Sequence, residues 1–306
     1  MSDLTAGSTI SSARLLAIPR LLRALRPHQW VKNLLVFVPI IMAHRLFDQQ
    51  GLRRAFLGFV AFCLLASAGY IINDLLDASF DRQHPTKRTR MFASGLLPAS
   101  LGWAIVPFLY IAAAGLAWRI GPAFSAYCAL YVLLTMLYSL ILKRKVVIDV
   151  LVLASLYMIR ILAGGVAADV EVSTWLLGFA MFLFLSLALL KRYVDLEIAA
   201  DAGATAAFGR GYLVEERDLL RAIGIPSGLL AVLVFALYLA SDQVVRLYHS
   251  PRLLWLACPL LLFWIAHMWF LAARGKLHDD PIVAAAKDPA SYVVGVLIAL
   301  VAFAAV

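Results

Sequence analysis

The sequence predicts an all-α integral membrane protein: one bundle of nine transmembrane helices, N-terminus inside, with its charged loops in the cytoplasm. Three observations carry that prediction. Hydrophobic residues fill 63% of the 306 positions and charged residues only 15%, a balance far outside that of soluble domains. Apolar stretches recur at the length of about 17 to 25 residues that a helix needs to cross a bilayer. The basic residues between them alternate in number. With the N-terminus inside, 20 of the 27 Lys and Arg fall in cytoplasmic segments and 6 in outer ones, leaving Arg160 within a span.

The elements follow in chain order. Residues 1–28 are a polar, then basic, cytoplasmic segment carrying Arg14, Arg20, Arg23 and Arg26, without the apolar core and small-residue site of a cleavable signal. Span 1 (29–46) opens with Gln29, Lys32 and Asn33 on one helical face. Span 2 (55–73) runs into the first charged loop, GYIINDLLDASFDRQHPTKRTR at 69–90. Spans 3 (100–118) and 4 (122–142) share a short outer turn, and the trio Lys143, Arg144 and Lys145 after them reads as a topology signal. Span 5 (147–168) holds Arg160, a guanidinium too deep to face lipid cheaply, so it must point into the bundle. Tyr157 at i−3 can join it; Asp149 lies almost on the same face, about 16 Å along the helix. Gly164 and Gly165 allow close helix packing. Span 6 (173–190) leads into the second charged loop, which begins KRYVDLEIAAD, and spans 7 (222–240), 8 (252–271) and 9 (288–306) complete the bundle. Trp30, Trp103, Trp118, Trp175 and Trp255 near span ends form an interfacial belt, while Cys63, Cys128 and Cys258 within apolar runs are packing residues. No linker or repeat divides the chain, so 1–306 is a single polytopic domain, with the nine-helix bundle at 29–306. Orientation and anionic lipid account for the net charge of +9; no nucleic acid is needed.

The first charged loop carries the chemistry. Asn73, Asp77 and Asp81 recur at i, i+4, i+8 on one face of a continuing helix, with Tyr70 and Asp74 beside them. One Asp there would be a solvated helix end. Four polar residues in register supply the oxygen ligands that suit Mg²⁺ together with substrate phosphate. His84, Lys87, Arg88 and Arg90 follow closely, past Pro85, which breaks the helix. Cations that clamp phosphate beside acids that hold Mg²⁺ make a diphosphate site. In the second loop Lys191 and Asp195 stand at i, i+4, either as an intrahelical pair or as a phosphate cation beside a metal ligand.

NDLLDASFD (73–81) matches the N-D-x-x-D-x-x-x-D signature of the UbiA superfamily of intramembrane prenyltransferases. RPHQWVKN (26–33), DRQHPTKRTR (81–90) and LYMIRILAGGVA (156–167) resemble, within it, the decaprenyl-phosphate phosphoribosyltransferase branch. The resemblance covers nearly the whole chain. It implies a nine-helix UbiA-type bundle in the inner (plasma) membrane, with Mg²⁺ as cofactor and the active site facing the cytoplasm. It also implies transfer of 5-phosphoribose from phosphoribosyl diphosphate to a polyprenyl phosphate. The product would be a precursor of a lipid-linked arabinose donor, used for cell-wall arabinan or for an arabinosylated glycolipid such as a nodulation signal. Spacing and resemblance together nominate Asp77, Asp81, Lys87 and Arg90 as catalytic, and Asn73, Asp74, Asp77, Asp81 and Asp195 as metal ligands. Gln29, Lys32, Asn33, Tyr70, His84, Arg88, Tyr157, Arg160, Lys191, Arg192 and Tyr193 are nominated as substrate-binding.

Two departures stand out. KRYVDLEIAAD lacks the second D-x-x-x-D of aromatic prenyltransferases, which argues against an aromatic acceptor and leaves the number of Mg²⁺ ions open. Met91 stands where the family often has proline. The alternative within the fold is an aromatic polyprenyltransferase of the 4-hydroxybenzoate type. From another class, a transporter would be expected to show paired repeats, which are not found here.

Overall fold

The computed structural model describes residues 19–83, 87–207, 209–277 and 280–306; Arg14 and His84 lie outside them. Among the described residues the regular elements are helical, apart from an isolated antiparallel bridge between Ala206 and Leu213. Seven helices are long and apolar enough to cross a membrane. They are α1 (Gln49–Leu76), α2 (Ala99–Ile120), α3 (Pro122–Leu140), α4 (Ile148–Ala168), α5 (Thr174–Asp201), α6 (Arg217–Leu239, extended by a 3₁₀ turn to a span of Val214–Leu239) and α7 (Ala257–Ala273, extended by a 3₁₀ segment to a span of Pro251–Ala273). A five-residue α8 (Pro281–Ala285) and a 17-residue α9 (Pro289–Ala305) close the chain.

Local chemistry explains several of the boundaries. Asp48 caps α1 by accepting from the N–H groups of Gln50 and Gly51 at 3.1 and 3.0 Å, and Ser173 caps α5 by accepting from Leu176 N–H at 3.2 Å. Gly121 turns α2 into α3, with Pro122 in the first helical position, where its missing N–H is harmless.

Among the described residues, seven of the nine expected spans are helices of that length, and the first and last are shorter. At about 1.5 Å per residue α9 covers only about 26 Å. The first expected span is not an α-helix at its start: Pro27–Phe37 is a 3₁₀ segment, followed by the short α-helix Val38–Met42. Its 3₁₀ rise of about 2.0 Å carries eleven residues about 22 Å, farther than an α-helix of equal length. The segment lies against α4, where a Cβ on Gly164 would stand 2.1 Å from the Val36 carbonyl oxygen. Only glycine permits that approach, as expected for close packing.

Aromatic and aliphatic side chains fill two main cores. One gathers α5, α6 and α7 around Leu190, Trp269 and Ile265; the other gathers α1, α3 and α4 around Phe62, Phe124 and Ala163. Helices α1 and α4 are the most enclosed of the spans, and they carry Asn73 and Arg160.

Candidate active site

Helix α1 ends at Leu76. Asp77 leaves helical geometry (φ −92°, ψ 1°) and one further turn, Ala78–Asp81, follows. The helix does not simply continue, yet Asp77 N–H donates to Asn73 O at 2.9 Å and Asp81 N–H to Asp77 O at 2.8 Å. The i, i+4, i+8 spacing therefore survives the break. Asn73, Asp77 and Asp81 share the wall of one cavity with Phe80, Lys87, Arg90, Lys143, Arg144, Gly209 and Arg210.

Each carboxylate on that wall faces a cation. Lys143 Nζ donates to Asp77 Oδ1 at 2.5 Å and to Asn73 Oδ1 at 3.4 Å. Arg90 Nη1 donates to Asp81 Oδ2 at 2.7 Å and to Asp74 Oδ1 at 3.1 Å. Burial, with Arg90 and Arg210 nearby, lowers the Lys87 ammonium to about 8, although Asp195 and Asp81 pull the other way. Lys143 and Arg144 therefore do more than signal topology: both line the cavity. Sequence spacing did not nominate them, nor Arg210, because nothing local ties them to Asp77, 66 positions or more away.

Other nominated residues turn elsewhere. Asp74 is gripped by Arg26, whose Nη2 reaches both of its oxygens at 2.6 and 2.7 Å. Asp195 pairs with Arg192 rather than Lys191. Arg192 is fully buried, donates to Asp149 Oδ2 at 2.6 Å and to the Tyr138 hydroxyl at 2.9 Å, and is not among the cavity-lining residues. Asp149 thus meets Arg192, not Arg160. Its other oxygen accepts from the Tyr212 hydroxyl at 2.5 Å, and burial with that bond keeps this phenol protonated well above its ordinary range. Tyr212 in turn accepts from Val147 N–H at 2.9 Å, holding a β-branched residue at φ 67°. The loop bearing Tyr212 rests on the 143–146 turn: a Cβ on Gly211 would stand 2.4 Å from Arg144 O. Arg210, on the same loop, donates to Tyr138 at 2.9 Å and joins the cavity wall. This buried network positions the cavity's cations.

Three-residue periodicity separates residues expected on one face. In a 3₁₀ segment positions i and i+3 eclipse, so Gln29 aligns with Lys32 while Asn33 points away. Lys32 Nζ lies 2.8 Å from Asp280 Oδ2, which Lys191 also reaches at 3.0 Å. Asn33 is fully buried and accepts from Arg160 Nε at 2.8 Å. Arg160 also donates to the Tyr131 hydroxyl at 2.9 Å and sits over the rings of Tyr131, Tyr157 and Phe62. Tyr157 stacks on Phe184, and the Arg26 guanidinium covers the ring of Tyr70. Tyr193 packs on Trp269 in the hydrophobic core, and Arg88 is exposed outside the cavity.

Among the described residues no three His, Cys, Asp or Glu converge. The donor set that fits Mg²⁺ is instead Asn73, Asp77 and Asp81, two carboxylates and an amide beside a space for substrate oxygens. The Lys143 ammonium bridging Asn73 and Asp77 occupies the kind of position a bound cation would take. Asp74 and Asp195, like Asp81, are paired with arginines, and neither Asp74 nor Asp195 lines the cavity.

The sequence profile of the UbiA prenyltransferase family matches residues 34–287. The chain belongs to this family. Its relatives include the uncharacterized protein y4nM of Sinorhizobium fredii, 38% identical over 91% of this UbiA chain and 54% of that protein, so the chain spans about half of that relative. Nodulation protein NoeC of Azorhizobium caulinodans is 35% identical over 88% of both. Decaprenyl-phosphate phosphoribosyltransferase of Mycolicibacterium smegmatis is 37% identical over 60% of this chain and 59% of that enzyme. A solved UbiA homologue from Archaeoglobus fulgidus, bound to GPP and Mg²⁺, superposes with a TM-score of 0.70 over 93% of this chain and 98% of that one; its 18% identity speaks to the fold alone. With seven long apolar helices, this member of a transferase family is a multi-pass membrane protein.

Proposed function

We propose that this UbiA chain transfers 5-phosphoribose from phosphoribosyl diphosphate to a polyprenyl phosphate, in the inner (plasma) membrane, from a cavity facing the cytoplasm. The observation that carries this reading is the cation surplus at the site. Five basic side chains, Lys87, Arg90, Lys143, Arg144 and Arg210, line the cavity against two carboxylates. A prenyl diphosphate needs one diphosphate site. Phosphoribosyl diphosphate adds a 5-phosphate, and the acceptor adds another phosphate. Similarity to the decaprenyl-phosphate phosphoribosyltransferases supports the same substrates, and similarity to NoeC supports use of the product in a nodulation glycolipid rather than in cell-wall arabinan.

Bound at Asn73, Asp77 and Asp81, Mg²⁺ would serve as Lewis acid and template for the departing diphosphate. Lys87, Arg90 and Lys143 would stabilise the same developing charge, with Arg90 and Lys143 exchanging their carboxylate partners Asp81 and Asp77 for substrate oxygens. The C1–oxygen bond of ribose breaks with its electron pair leaving on diphosphate, and an oxygen of the polyprenyl phosphate bonds to C1. That oxygen is already anionic. No general base is required, and the cavity wall contains no histidine among the described residues.

Membranes containing the protein should move radiolabel from phosphoribosyl diphosphate into a lipid fraction when polyprenyl phosphate is present, and lose that activity on chelation. Label transfer from a prenyl diphosphate to 4-hydroxybenzoate instead would replace this reading with the aromatic one.

A further inference from the structure

Lys32 and Lys191 come from different elements, the 3₁₀ segment and α5, and converge on one oxygen of Asp280 at 2.8 and 3.0 Å. Asp280 caps α8, a short helix that packs against both elements. Burial alone would raise its carboxyl, but the two ammoniums hold it well below the ordinary carboxylate range. One negative charge thus answers two positive ones. The surplus deepens inward. Arg160 is 3% exposed and donates to three neutral acceptors: Asn33, Tyr131 and the Leu156 carbonyl. Tyr70 and Tyr157 lie within electrostatic range of both Arg160 and Asp280, so these groups share one region. Excess positive charge in such an interior is costly until an anion joins it.

We propose that Lys32 and Lys191 form a second anion seat, distinct from the diphosphate cavity, that takes a phosphate monoester, and that Asp280 fills this seat until the ligand displaces it. A phosphate dianion carries three oxygens, enough to bridge both lysines, and matches the local charge better than a single carboxylate. A chain of side-chain contacts leads from the cavity wall toward the seat as far as Tyr70. Arg26 covers Tyr70 and grips Asp74, which Arg90 on the cavity wall also reaches. A substrate bearing a diphosphate in the cavity could therefore place a second anionic group toward Lys32, and so could a lipid phosphate. Only this choice between two sources rests on the proposed function.

The test uses full-length protein in detergent and measures equilibrium binding of two probes, ribose 5-phosphate and farnesyl phosphate, without turnover. Asp280→Asn removes the competing charge and should tighten binding of the probe that uses the seat several-fold. Lys191→Met should weaken the same probe by at least about tenfold. Tightening for ribose 5-phosphate assigns the seat to the sugar phosphate; tightening for farnesyl phosphate assigns it to the lipid. Asp280→Asn protein that binds both probes unchanged or more weakly overturns the proposal and leaves Asp280 as a structural partner. If that variant does not fold, Lys191→Met decides alone, and unchanged affinity for both probes overturns it. Neither probe carries a leaving group, so binding reads the seat even if the phosphoribosyl-transfer assay fails.

Discussion

Two side chains dominate at the scale of single residues. Asp77 has one oxygen on the Lys143 ammonium and shares the cavity wall with Asn73 and Asp81. Asp77→Ala should lower turnover by at least about 10²-fold, the loss typical of one electrostatic group at a reacting centre, while membrane insertion and yield stay normal. Near-normal turnover in the purified variant would remove Asp77 from metal binding. Lys87 titrates at about 8 rather than at the usual lysine value near 10.4. Between those values the unfolded chain binds more protons than the folded one, so this group's contribution to stability rises with pH across that window. The site meanwhile loses a cation, and KM for the diphosphate donor should climb above pH 8. Lys87→Arg keeps its charge and should shift that climb to higher pH. Superimposable pH profiles of the two proteins would show that Lys87 does not hold phosphate.

The decisive element is the 3₁₀ segment at Pro27–Phe37, which brings Lys32 to Asp280 and Asn33 to Arg160. Its seat on α4 depends on a missing side chain. Gly164→Ala would drive a Cβ into the Val36 carbonyl, a backbone atom that cannot rotate aside. We expect a loss of about 1–3 kcal/mol, read as a lower unfolding midpoint in detergent, together with weakened substrate binding. An unchanged midpoint would mean that the segment does not approach α4 so closely. A second device is the loop around Gly211, pinned through Tyr212 to Asp149 and Val147, which carries Arg210 over the cavity.

Across the whole molecule, the described parts of the loops assigned to the cytoplasm by their basic residues meet at one end of the bundle. Arg90, Lys143, Arg144 and Arg210 come from three of those loops, 82–90, 143–145 and 191–221, and line one cavity. Large apolar side chains such as Phe108, Trp118 and Phe303 lie exposed at 73%, 82% and 83%, as lipid contact allows and water would not. Arg88→Cys, placed on the exposed loop beside the cavity, should react with a membrane-impermeant maleimide in inverted vesicles and stay unlabelled in right-side-out cells. The reverse pattern would turn the bundle over and end the cytoplasmic assignment.

The sequence by itself determined the features that depend on neighbours along the chain. Hydropathy over some twenty residues marks a span, and a period near four puts Asn73, Asp77 and Asp81 on one wall even though the helix breaks at Asp77. Tertiary structure alone decided which opposite charges meet. Lys143 lies 66 positions from Asp77, and Asp280 lies 89 from Lys191. No local period encodes such pairs. They arise because buried charges must find partners, and helix packing determines which ones come within reach. The same requirement drew Asp149 to Arg192, 43 positions away, rather than to Arg160; the Arg192–Asp195 pair, at i and i+3 on one helix, is local.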